Sequence, residues 1–122
     1  MQDPAPAASP AALCATVLAA LDDLKARDVR TLDVRGKTSI TDWIIVSSGT
    51  STRHVRSIAE EVVRAAKRDG LVPLGIEGER EGEWILVDLG DVVVHVMLPR
   101  VREYYGLERL WGADAVAPAR AG

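Results

Sequence analysis

The segment 83-EWILVDLGDVVVHVMLP-99 decides the fold. Two runs rich in Val, Ile and Leu flank Gly90-Asp91. A Gly beside an Asp between such runs is a strong hairpin signal, because two-residue hairpin loops require positive φ at their centre. A loop of these two residues predicts a register. Leu89 faces Val92, and outward from it Asp88 pairs with Val93, Val87 with Val94, Leu86 with His95, Ile85 with Val96, and Trp84 with Met97. Side chains alternate between the two faces of a strand. One face then carries Ile85, Val87, Leu89, Val92, Val94 and Val96, all aliphatic and expected to form core. The other carries Trp84, Leu86, Asp88, Val93, His95 and Met97, a mixture expected to lie on the open side and meet something.

Working outward, Pro99 opens a last helical segment, Arg100 to Tyr105, interrupted by Gly106 and continued briefly through Leu107 to Trp111. The Ala-rich stretch 113–122 reads as a flexible tail. Before the hairpin, a short strand is expected around Pro73 to Glu77, with Pro73 at its start or on a sheet edge. Earlier still, Val55, Ile58, Ala59, Val62, Val63 and Ala66 form a wide apolar stripe on a helix ending near Asp69 at Gly70. Its start is capped by Thr50 or Ser51. Asp42 to Ser48 is a strand whose near-continuous apolar run fits burial on both faces. Val29 to Arg35 is a shorter strand. From about Ala12, Leu13, Val17, Leu21 and Leu24 recur at helical spacing. Residues 1–11, rich in Ala and Pro, read as a disordered leader. The order predicts one α/β domain over residues 12–112, with a mixed sheet of about five strands and helices mainly on one face.

The chain has 122 residues, enough for a single core, and a net charge of −3. A protein whose main partner is naked nucleic acid usually carries a basic excess, so a protein or small-molecule partner is favoured. No apolar run approaches the roughly 20 residues of a membrane helix, and the N-terminus lacks the pattern of a signal peptide. With the lone Cys14, this points to the cytoplasm.

Three constellations bear on chemistry. The turn from Ser47 to Ser51 ends a strand and opens a helix, with Arg53 and His54 in the first turn. Such a turn can hold an anion, as in a nucleotide-binding enzyme, but no G-K-[ST] follows the Gly, and a capped helix start explains it as well. Asp88 and Asp91 straddle the hairpin turn and Asp42 lies elsewhere, poor geometry for one octahedral metal of a nucleotidyltransferase. His54 and His95 are the only histidines, and no zinc spacing exists. Cys14 reads as a small packed thiol. Trp84 has two readings, an interface anchor or a core residue covered by the C-terminal segment, and the residues alone leave both open.

Four blocks in order, D-W-I-I-V-S-S-G-T-S-T-R-H-V (42–55), G-I-E-G (75–78), W-I-L-V-D-L-G-D-V-V-V-H-V-M (84–97) and Y-Y-G-L-E-R-L-W (104–111), resemble the ribosomal silencing factor family, the Iojap-related proteins. The resemblance covers about residues 12 to 115. It implies a mixed α/β fold shaped like a nucleotidyltransferase but without the catalytic acids, no catalysis, no cofactor and no metal. It also implies binding to the large ribosomal subunit through its fourteenth protein in the standard numbering, on the intersubunit face. Bound there, the chain would block joining of the small subunit and repress translation; organelle relatives are linked to ribosome assembly. The family's contact tryptophan falls on Trp84, and the implied patch extends to Leu86, Asp88, His95 and Met97. Arg53 and His54 match the family's R-H-V block, and with Ser51 they are a possible helix cap or secondary contact. The apolar row also suggests a homodimer in the free state.

Overall fold

A computed structural model describes residues 9–106. Its elements run α1 (Pro10–Asp23), β1 (Arg27–Asp33), β2 (Trp43–Ser48), α2 (Thr52–Arg68), β3 (Gly75–Glu77), β4 (Trp84–Asp88), β5 (Val92–Met97) and α3 (Pro99–Tyr105). The strands form one mixed sheet in the order β1-β2-β5-β4-β3. β2 and β5 pair in parallel, and the other neighbours are antiparallel. The chain leaves β2 through α2, lays down β3 at the far edge, and fills the gap with the hairpin β4–β5. The predicted register holds at every pair, from Trp84 with Met97 to Asp88 with Val93. The Leu89 amide donates to the Val92 carbonyl at 2.9 Å to close the loop.

Central position explains the burial of β5, where all six residues are buried. β2 is buried from Ile44 to Ser48, with Trp43 half-buried at its start. The helix-facing side of the sheet meets α1 through Leu13, Val17, Ala20 and Leu21 and α2 through Val55, Ile58, Ala59, Val62, Ala65 and Ala66. α3 is the exception to one-sided packing, since it lies at the Trp84 end of the other face. There the buried Arg102 Nη1 donates to Ser48 Oγ at 2.9 Å.

Local chemistry sets the boundaries. Helix α1 begins at Pro10, two residues inside the expected leader. Ser9 accepts from the Ala12 amide, and Pro at the first helical position needs no partner for an N–H it lacks. The rest of the leader, the segment Leu107 to Trp111 and the tail 113–122 fall outside the described residues. β1 starts two residues before its expected position and carries an irregularity between Arg27 and Arg30, where Asp28 has positive φ. β3 is limited to three residues.

Candidate functional site

The site grows from the first residue of β4. Its approach is the loop Gly78 to Gly82, in which both glycines have positive φ and the Gly82 amide donates to the Gly78 carbonyl at 3.0 Å. Arg56 of α2 holds this loop from the side. Its Nε donates to the Glu79 carbonyl at 3.0 Å and its Nη2 to the Arg80 carbonyl at 2.7 Å. Gly78 passes so close to the Trp84 carbonyl oxygen that a side chain there would collide with it. The point at which Trp84 enters the sheet is therefore set by backbone packing on one side and a guanidinium on the other.

The Trp84 side chain is half-buried and held at two places. Its Nε1–H donates to His95 Nδ1 at 2.9 Å, across the hairpin pair one row along. The Tyr105 ring of α3 lies 5.0 Å away, centroid to centroid, at an interplanar angle of 48°. Tyr104 meets Tyr105 edge-on at 4.9 Å. Tyr104 and Tyr105 are 82% and 59% exposed, so the aromatic cluster rises from half-buried Trp84 to open tyrosines. Together with Gly78, Glu81, Glu83, Arg100 and Val101 it lines a shallow groove.

The remaining residues of the expected patch are not equally open. Leu86 and Asp88 are half-buried, whereas His95 is 7% exposed and Met97 is fully buried. This corrects the expectation of an open hairpin face, because β5 is central and its side chains on this face, including Val93, are buried as well, though Val93 and His95 less completely than those on the helix side. The reading of Trp84 as a fully covered core residue does not hold: α3 folds back beside the ring and leaves it half-buried. Burial lowers the His95 pKa to about 4, so the imidazole is neutral near pH 7 and its Nδ1 is free to accept. Asp88 Oδ1 accepts from the Gly90 amide at 2.9 Å, so this carboxylate closes the hairpin turn.

The strand-to-helix turn is built as a structural joint. Ser51 caps α2 by accepting from the His54 amide at 3.0 Å. His54 Nδ1 accepts from the Thr50 amide at 2.9 Å, and His54 Nε2 then donates to the Leu24 carbonyl at 2.7 Å, tying the start of α2 to the end of α1. At the other end of α2, Thr16 Oγ1 donates to Asp69 Oδ2 at 2.6 Å. Gly49 donates to the Met97 carbonyl. The amides of Gly49, Thr50 and His54 are thus engaged within the protein, which weakens the anion-pocket reading. Arg53 is exposed beside them and is not drawn into the Trp84 cluster. Among the described residues no group of three His, Cys, Asp or Glu side chains is placed to hold a metal ion, and no helix is long and apolar enough to cross a membrane.

Sequence reasoning missed Arg56 and the two linking roles of the histidines, and left Tyr105 without an assigned place although the C-terminal segment was weighed as a cover for Trp84. Arg56 carried a signal, since it sits one position from the apolar stripe of α2 and can reach across the sheet edge. For Tyr105 the signal was its aromatic character together with a C-terminal segment able to fold back on Trp84.

Known proteins place this architecture. The family model described as "Ribosomal silencing factor during starvation" matches residues 6–121. The chain is 48% identical over 95 residues to "Ribosomal silencing factor RsfS" of Chromobacterium violaceum, covering 78% of each chain. It is 44% identical over 100 residues to the protein of the same name from Haemophilus influenzae, covering 82% of this chain and 98% of that one. A crystal structure of a Chromobacterium violaceum protein superposes with a TM-score of 0.86 at 41% identity, covering 94% of both chains. With the blocks at 42–55 and 84–97 both inside the matched span, the chain belongs to the ribosomal silencing factor family.

Proposed function

We propose that this chain is a cytoplasmic translation repressor without catalytic activity. It docks on the large ribosomal subunit through the fourteenth protein of that subunit and sterically blocks association with the small subunit. Membership of the family supports ribosome association. The observation that carries the docking surface is Trp84, a half-buried aromatic pinned at the end of the hairpin and continued outward by Tyr105 and Tyr104. Large aromatics held in partly desolvated positions are typical anchors at protein interfaces. Leu86 lies in the next row along this face and Asp88 one row beyond it, while Met97 stands opposite Trp84 and His95 bonds its indole. Steric exclusion requires no reacting group, which agrees with the turn amides and Asp88 being engaged in internal bonds. The acidic balance of the chain favours a protein surface over rRNA as the main contact. In the free state the same aromatic cluster is available to a second copy, and a homodimer would compete with ribosome docking.

Cosedimentation with isolated large subunits, followed by addition of small subunits, tests the proposal. The native chain is expected to travel with the large subunit and reduce reassociation. Trp84→Ala, with its fold verified by circular dichroism, is expected to lose about 2 kcal/mol of binding, roughly thirtyfold in affinity. A folded Trp84→Ala protein that binds as tightly as the native chain removes the anchor from the proposal.

A further inference from the structure

We propose that His95 is a positioning residue for docking, holding the Trp84 indole in one orientation with its N–H turned inward, so that the partner takes this ring by its apolar surface and not through a hydrogen bond. The inference rests on the docking role of Trp84 proposed above and specifies the chemistry of recognition.

The geometry carries it. His95 is 7% exposed, too deep to make up the contact surface itself, whereas the ring it holds is half-exposed. The 2.9 Å bond from Trp84 Nε1 to His95 Nδ1 uses the one polar group the indole has. A partner carbonyl placed over Trp84 therefore finds no donor, while an aliphatic surface finds an aromatic face. Tyr105 restricts the ring from a second direction, with centroids 5.0 Å apart. A tryptophan at the end of a strand loses rotamer freedom when a partner immobilises it, and a ring fixed beforehand avoids that loss. His95 also stands directly opposite Leu86, so the pairing of β4 with β5 sets the height at which its Nδ1 meets the indole.

The test combines a double-mutant cycle with a signal from the free protein. Affinity for isolated large subunits is measured for the native chain, His95→Leu, Trp84→Ala and the double variant. In parallel, the Trp84 indole resonance is followed in 15N-labelled protein. His95→Leu is expected to weaken binding about tenfold, within the cost of reordering one side chain at an interface. It should also move the Trp84 indole resonance and speed its exchange with water. His95→Gln, which keeps an acceptor, is expected to restore part of both. In the Trp84→Ala background His95→Leu should cause no further loss. An equal loss in that background would mean that His95 acts independently of Trp84 and overturns the proposal. Should His95→Leu fail to fold, the native protein still decides, because a scalar coupling between Trp84 Nε1 and His95 Nδ1 is expected and its absence refutes the bond. Failure of the native chain to bind large subunits defeats the docking role, and with it the purpose assigned to His95; the indole resonance separately shows whether the clamp exists.

Discussion

Lowering the pH from 7 to 5 should destabilise this protein through His95 by an amount that can be worked out in advance. In the fold the imidazole is buried and its pKa lies at about 4. In the unfolded chain it returns to roughly 6.5, the ordinary value for histidine. Between these values the unfolded state binds the proton and the folded state does not, so stability falls as the pH falls. The contribution is fully present above the unfolded pKa and is lost progressively until the folded pKa is reached. Linkage over the whole interval gives about 3 kcal/mol, and between pH 7 and pH 5 about 2 kcal/mol. Other groups also titrate, so the measurement is a difference. Urea denaturation of the native chain and of His95→Gln is followed at several pH values between 7 and 5. All other groups are common to both proteins and cancel in the difference. The native chain should lose about 2 kcal/mol more than the variant over this range. Parallel pH dependences for the two proteins would show that His95 takes up a proton in the fold as readily as in the unfolded chain. That result would refute both the desolvation argument and the assignment of Nδ1 as the acceptor for the indole.

Two further substitutions test the packing around the site. Gly78→Ala should cost about 3 kcal/mol, since it combines a left-handed backbone with a collision against the Trp84 carbonyl; Gly70→Ala, with a similar φ and open space around it, should cost only about 1 kcal/mol. Equal midpoints for the two in thermal melts would remove the close approach as the cause. Ser47→Ala should leave stability unchanged or raise it by about 1 kcal/mol, because Ser47 Oγ is buried with no hydrogen-bond partner among the described residues. A loss of more than about 1 kcal/mol on chemical denaturation would mean that the hydroxyl is bonded after all.

The hairpin was legible because its determinants are local. Gly90-Asp91 fixes the loop, and the two-residue period then fixes every pair through Trp84 and Met97. The cap at Ser51 and the stop at Gly70 are equally local, and the stripe of α2 reads directly from its spacing. Burial of His95 and Met97 was not legible. A row mixing Trp, Asp, His and Met has the composition of a surface, and it is the placement of β5 between β2 and β4 that goes with burial of its Val93, His95 and Met97 half while the β4 half stays half-buried. That placement is set by the strand order, with β3 at the far edge and the hairpin between it and β2, which no local pattern records. The bond between Trp84 and His95 lay within the predicted register, since Trp84 and His95 fall on the same face in neighbouring rows. Reading that face as open left no reason for the two side chains to satisfy each other.

That pairing resolves a tension in the site. An anchor must offer apolar surface to a partner, yet an indole brings a donor that needs an acceptor wherever it is removed from water. On an open sheet water would satisfy that donor, and docking would have to strip it away. Here the donor is satisfied inside the protein by a neutral imidazole, so the ring can be covered without leaving a polar group unpaired. The same arrangement requires His95 to be buried, because an exposed imidazole would be partly protonated near neutral pH and would offer a donor in place of an acceptor. Burial of the central strand, which removes His95 from the proposed contact surface, is thus also what would suit Trp84 to the proposed role of an apolar anchor.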